Sequence, residues 1–178
     1  MVKYNPNDLK AIVFELKNNK TLIAPTDTVY GVLSIDKTNI YKIKKRDRSK
    51  KIVLFIPNLT YVKNINENFI KLAKAFWPGK LTLIKNKISY RVPNNKFVLD
   101  LLPKTGPLFC SSANISGKPT INSYEEAIVN FKDNKSDIIF LESDFSNNSP
   151  STIYDVDKDK ILREGEISYE QITRVIKQ

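Results

Sequence analysis

The 178-residue sequence contains no histidine and a single cysteine, Cys110. The first absence excludes Ser-His and Cys-His nucleophile–base pairs, and together the two exclude a zinc site built on spaced Cys and His ligands. One cysteine leaves no internal disulfide to form. Cys110 lies in the apolar run Leu108-Phe109-Cys110 and reads as a small buried hydrophobe, not as a reactive thiol. No apolar run approaches the about 18 residues of a membrane-spanning helix, and Met1-Val2-Lys3-Tyr4-Asn5-Pro6 has no signal-peptide pattern, so the expected location is cytoplasmic. Only five glycines are present, and none belongs to a G-x-x-x-x-G-K-[ST] phosphate cradle. Acidic residues are outnumbered, 19 Asp and Glu against 29 Lys and Arg, for a formal charge of +10 at pH 7. That excess predicts attraction to polyanions such as nucleotides, nucleic acid or an anionic membrane, without choosing among them.

The composition that remains is that of a soluble globular protein, and the length suits one domain over residues 1–178 with a substantial core. Leu9, Ile12, Val13 and Leu16 repeat at helical spacing after the Asn5-Pro6-Asn7-Asp8 start signal. Thr21–Ala24 reads as a buried strand stopped by Pro25, and Thr38–Arg46 as a short helix. Ile52–Ile56 is a continuous apolar run, as expected of a strand covered on both faces. A helix over Asn66–Phe76 is followed by strands at Leu81–Ile84 and Ser89–Val92, then a brief helix from Phe97 to Leu102 that Pro103 stops. After a strand beginning at Leu108, Ser123 and Glu126 form a capping-box pattern for the next helix. Further strands are expected at Ile138–Leu141, Ser151–Tyr154 and Lys160–Gly165, with a loop over Asn147–Pro150 and a final helix opened by Ser168 and Gln171. Interspersed helices and strands place the chain in the α/β or α+β class with one twisted sheet.

Four segments combine strand-end position with ligand-type residues. Pro25–Gly31 carries three hydroxyls and a carboxylate; Lys44–Lys50 is the densest basic stretch; Ser112–Asn114 follows the Leu108 strand; Ser151–Arg163 closes the set. Lys44 and Arg46 lie two apart at a helix end, with Lys50 four residues on. Cations converging on one point repel unless an anion sits among them, and phosphate suits both the planar Arg fork and the Lys point charge.

The chain resembles the YrdC-like threonylcarbamoyl-AMP synthase family. The resemblance is carried by Pro25-Thr-Asp-Thr-Val-Tyr-Gly31, Lys44-x-Arg46 with Lys50, Phe76-Trp-Pro-Gly79, Leu81-Thr-Leu83, Tyr90-Arg-Val-Pro93, Ser112-Ala-Asn114-x-Ser-Gly117, Ser151-Thr152 and Arg163-Glu-Gly165. These blocks follow the family's order. The resemblance implies a single α/β domain whose mixed sheet and flanking helices surround a basic concave cavity, without the additional C-terminal domain of longer relatives. It implies a nucleotidyltransferase that joins L-threonine, bicarbonate or carbon dioxide, and ATP into threonylcarbamoyl-adenylate and pyrophosphate. Magnesium accompanies the ATP, and tRNA-modifying partner proteins take the adenylate. By the same resemblance Thr28, Arg91, Ser112 and Ser151 hold threonine, with Arg91 on its carboxylate. Lys44, Arg46, Lys50, Asn114 and Arg163 face the nucleotide, and Lys44, Arg46, Ser112 and Asn114 form the catalytic group; no residue is expected to ligate a metal. Asp47, Lys51 and Lys80 stand where the family usually has proline, and Lys87 and Asn122 occupy positions that often present threonine to the nucleotide. The alternative is an RNA-binding module with a cationic concave face; the synthase reading allows weak direct tRNA binding at most.

Overall fold

The computed structural model describes residues 1–142 and 149–178. In chain order the elements are β1 (Val2–Tyr4), α1 (Leu9–Lys17), β2 (Thr21–Ala24), β3 (Gly31–Ser34), α2 (Lys37–Ile43), β4 (Val53–Phe55), α3 (Glu67–Phe76), β5 (Leu81–Lys85), β6 (Ile88–Arg91), α4 (Lys96–Thr105), β7 (Leu108–Ser112), α5 (Tyr124–Asn130), β8 (Ile138–Leu141), β9 (Thr152–Asp155), β10 (Lys160–Arg163) and α6 (Tyr169–Lys177). Among the described residues the strands form one mixed sheet in the order β1-β8-β2-β3-β7-β4-β6-β5-β9-β10. Of the loop expected over Asn147–Pro150, Asn147 and Asn148 lie outside the described residues.

Residues directly opposite in a ladder share a face of the sheet. Gly31 faces Ser112, Cys110 faces Val53, and Phe55 faces Arg91. Thr82 faces Ile153, which faces Arg163. These residues therefore stand on one side of the central and right-hand strands. Over Leu22, Leu33, Phe55 and Cys110 that side is covered by α1 and α4, through Ile12, Leu16, Val98, Leu101 and Leu102. The opposite side packs Leu83, Tyr90 and Tyr154 against Phe69 and Leu72 of α3 and Ile172 of α6. It also packs Val32 and Phe140 against Ile40 and Ile43 of α2 and Ala127 of α5. Each such side chain stabilises the fold by roughly 1.5–3 kcal/mol. Where α1 and α4 end, the first side is open, and the cavity described below occupies it.

Two expectations are corrected. Pro103 does not stop α4, which continues to Thr105 and closes on Gly106, whose N–H donates to Leu102. A proline there removes one backbone donor in the last turn only, which the short remainder of helix tolerates. The second correction is β3, whose four residues are all buried: Gly31, expected as the end of the polar Pro25–Gly31 segment, is the first residue of a strand. Gly31 opens it because a Cβ there would lie 2.9 Å from Cys110 Sγ and 3.2 Å from Thr26 Cγ2.

Candidate active site

A cavity of about 410 Å³ opens on the uncovered side of the sheet, lined by Thr28, Arg46, Lys51, Phe55, Arg91, Cys110, Ser112, Ser151 and Arg163, among others. Its walls come from segments far apart in sequence that the ladders above bring together.

The Pro25–Gly31 loop supplies Thr28 and Asp27. The Thr26 hydroxyl donates to the carbonyl of Val29 at 2.7 Å, which uses its only proton. The 3.0 Å contact between the Thr26 and Thr28 hydroxyls is then donated by Thr28. Arg91 Nη1 donates into Thr28 Oγ1 at 3.3 Å. Thr28 is left with one free lone pair, so it meets a ligand as an acceptor, suited to an ammonium or a hydroxyl.

Arg91, at the end of β6, is held on every side. Nε donates to the Gly79 carbonyl at 2.8 Å, the guanidinium lies 5.8 Å from the centre of the Phe55 ring, and Nη2 stands 2.8 Å from Asp27 Oδ1. Asp27 Oδ2 accepts from the N–H of Asn94 at 2.9 Å. Arg91 has no acidic neighbour in the adjacent sequence; the structure supplies one 64 positions earlier in the chain and almost as deeply buried, with side chains 4% and 6% exposed. Burial lowers the Arg91 pKa and Asp27 opposes that shift. Asp27 is the site residue that sequence reasoning missed: the loop's carboxylate was visible, but its partner was not.

Arg163 of β10 donates from Nε and Nη2 to the Ser151 carbonyl at 3.0 and 2.8 Å, and from Nη2 to Ser151 Oγ at 3.0 Å. Ser151 Oγ also lies 3.0 Å from the buried Thr82 hydroxyl. Burial and then the charge of Arg91 lower the Arg163 pKa, so the two guanidiniums sense each other across the cavity. Thr152 ties the segment together: its hydroxyl donates to Ile167 O and accepts from the N–H groups of Gly165 and Ile167. A Cβ on Gly165 would sit 2.3 Å from Pro150 O and 2.8 Å from Ser151 C and Thr152 N, all backbone atoms that cannot swing aside. Gly165→Ala is therefore expected to cost about 1–3 kcal/mol in urea unfolding, because the Ser151–Thr152 backbone must move; an unchanged midpoint would contradict this packing.

The basic segment after α2 divides its residues. Arg46 lines the cavity, donates from Nη2 to the Lys51 carbonyl at 3.1 Å, and has a buried Nε without a hydrogen-bond partner among the described residues. Lys50 does not join it. The turn in which Lys50 N–H donates to Asp47 O and Ser49 N–H to Asp47 Oδ1 leaves Lys50 exposed and off the cavity wall, and Lys51 takes the lining position. Lys44 is fully buried behind the wall. Its Nζ donates to the Ser112 carbonyl, to Asn114 Oδ1 at 3.0 Å and to Ser112 Oγ at 3.5 Å, while Ser112 Oγ donates to Asn114 Oδ1 at 2.7 Å. Asn114 in turn donates to the Ile115 and Lys118 carbonyls. Of this cluster Ser112 alone reaches the cavity, with Lys44 and Asn114 as its support.

Burial, with Arg46 beside it, pushes the Lys44 amine down to about 7 from 10.5. Between those values the unfolded chain binds more protons than the folded one, so this group makes stability rise with pH. Burial pushes the Cys110 thiol up to about 12 from 9.0, which makes stability fall with pH only above about 9. Urea midpoints are therefore expected to rise between pH 7 and 8.5, with a slope for Lys44 of at most about 1.4 kcal/mol per pH unit. Lys44→Met should flatten that slope; an identical slope in the variant would show that Lys44 titrates elsewhere.

Comparison with known proteins agrees with this architecture. The Sua5/YciO/YrdC family model, described as "Telomere recombination", matches residues 15–165. The Mycoplasma genitalium protein MG259 is 35% identical over 167 residues, covering 86% of this chain and 36% of that protein. The threonylcarbamoyl-AMP synthase of Pyrococcus abyssi is 28% identical over 187 residues, covering 90% of this chain and 55% of that protein. Among solved structures, P. abyssi Sua5 complexed with L-threonine superimposes with a TM-score of 0.85 at 24% identity, over 98% of this chain and 60% of that one. The chain spans about a third of the length of the Mycoplasma relatives it matches. With the family model matched across most of its length, the chain belongs to the Sua5/YciO/YrdC family.

Proposed function

We propose that the protein is an L-threonylcarbamoyladenylate synthase, which joins L-threonine, bicarbonate and ATP and releases pyrophosphate. The observation that carries this reading is the convergence of three guanidiniums on one cavity: Arg91 with Thr28, Arg163 with Ser151, and Arg46 with the Lys51 carbonyl. A cavity of about 410 Å³ falls within the ordinary size of a small-molecule site. The relatives' naming and the threonine in the P. abyssi structure support the same assignment.

In this reading Arg91 receives the threonine carboxylate and Thr28 accepts from its amino or hydroxyl group. The amine attacks the bicarbonate carbon, and a carbamate oxygen then attacks the α-phosphorus of ATP while pyrophosphate leaves. No protein nucleophile takes part, which suits a chain whose one thiol is buried and held protonated. Catalysis comes from positioning and from cations placed where phosphate charge accumulates. Among the described residues no three acidic or sulfur groups converge to hold a metal. A magnesium ion bound with the triphosphate would supply charge neutralisation there. The adenylate would pass to partner proteins that modify tRNA. The RNA-binding alternative is not favoured, because relatives matched over 90% of this chain carry the name threonylcarbamoyl-AMP synthase.

The test is product identity. Incubation with ATP, threonine and ¹³C-bicarbonate should yield an adenylate carrying the threonine mass and one ¹³C. Its absence, with all three substrates present and the protein folded, would overturn the proposal.

A further inference from the structure

Joining threonine to bicarbonate sheds a proton: R–NH₃⁺ and HCO₃⁻ become R–NH–COO⁻, H₂O and H⁺. A base must take that proton before the nitrogen lone pair can attack, and the sequence has no histidine to do so. We infer that Lys44 is the proton acceptor for this step, with the Ser112 hydroxyl as the relay between it and the cavity. The inference rests on the synthase reading of the site.

The geometry fits a group that works in both protonation states. A neutral amine has two N–H bonds and one lone pair. The two N–H bonds satisfy the Ser112 carbonyl and Asn114 Oδ1, which leaves the lone pair toward Ser112 Oγ. As an ammonium, Lys44 donates its third N–H along that same line. Neither state needs a new partner or a rearranged backbone. Ser112 lines the cavity from the sheet face that also carries Cys110 and Val53, and its hydroxyl donates to Asn114 Oδ1 at 2.7 Å. Rotation about the Cβ–Oγ bond turns that proton to Lys44 Nζ while Oγ takes one from the threonine ammonium. The freed amine then forms the N–C bond to bicarbonate, and its second proton leaves with the departing hydroxide as water.

The surroundings of Lys44 disfavour a permanent charge. The side chain is fully buried, no carboxylate pairs with it among the described residues, and Arg46 stands beside it. The other titratable group facing it is Cys110 of β7, itself neutral and flanked by the Arg91–Asp27 pair. Ser112 and Asn114, the remaining neighbours, carry no charge. Desolvation and the guanidinium therefore both favour the neutral amine, which brings it to about 7. A buried lysine without a counter-ion is how a chain lacking histidine can provide a base poised at neutral pH.

The test combines a titration with a rate profile. The ¹³Cε resonance of Lys44 should titrate with a midpoint near 7 in the free protein. The kcat for pyrophosphate release, with all substrates saturating, should fall tenfold per pH unit below that midpoint. Lys44→Arg keeps the positive charge but cannot accept a proton at these pH values. It should lower kcat by about 10²–10⁴ and abolish the acidic limb, with the KM for threonine little changed. A Lys44 midpoint above 9.5, or an Arg variant that keeps kcat within threefold and the same limb, would overturn the assignment. Should the Arg variant not fold, the coincidence of the wild-type limb with the Lys44 midpoint decides by itself. Absence of wild-type pyrophosphate release at every pH contradicts the synthase reading instead, so the two failures are distinct.

Discussion

Arg46→Ala is expected to lower pyrophosphate release by about 10²–10³ while leaving the fold intact, the loss typical of removing one donor aimed at developing charge. The guanidinium lines the cavity yet makes a single hydrogen bond among the described residues, to the carbonyl of Lys51. Its Nε is buried and has no hydrogen-bond partner among the described residues. A half-buried guanidinium on the cavity wall with part of its fork unengaged is poorly placed as a structural strut and well placed to grip phosphate. Truncation therefore removes little packing and much transition-state stabilisation. The checks are the steady-state rate and the urea midpoint of the same sample. A variant that loses activity only in proportion to lost stability would return Arg46 to a structural role.

Arg91→Ala is expected to raise the KM for threonine about ten- to a hundredfold, with far less change in the KM for ATP. Losing a charge-assisted carboxylate contact is worth about 1.5–3 kcal/mol. Here the substitution has a second effect, because Asp27 would remain buried without its partner. Breaking a buried pair from one side costs about 3–5 kcal/mol. The two effects separate in the double variant Asp27→Asn with Arg91→Ala, which should recover much of the stability and none of the threonine affinity. Unchanged threonine dependence in either variant would remove Arg91 from the carboxylate.

Much of this was legible in the sequence where the signal is local. The helix expected over Asn66–Phe76 is α3, and the structure adds that the Asn66 side chain caps it by accepting from Phe69 N–H. Ser168 and Gln171 form the expected capping box on α6. The polar exit after Leu108 does lie on the cavity wall, through Ser112. What was not legible depends on register and tertiary pairing. β1 and β3 are three and four residues long, too short to show a period, and are strands only because β8, β2 and β7 pair with them. The Asp27–Arg91 pair joins a loop to the end of β6, and no spacing relates the two. Which of Lys50 and Lys51 faces the cavity is decided by one turn at Asp47, where a count of residues gives equal claim to both. Lys44 shows the same limit: its motif points to phosphate, whereas its burial and its bonds to Ser112 and Asn114 set it one layer behind the wall.

The position at which ATP is cut tests the account most directly. A basic cavity can also serve γ-phosphoryl transfer, but that chemistry relies on a glycine-rich cradle and a metal-holding acid, and the sequence has no such cradle. With γ-³²P-labelled ATP, the label should appear as pyrophosphate, and only when threonine and bicarbonate are both present. Threonine-independent release of labelled orthophosphate with ADP would contradict the account.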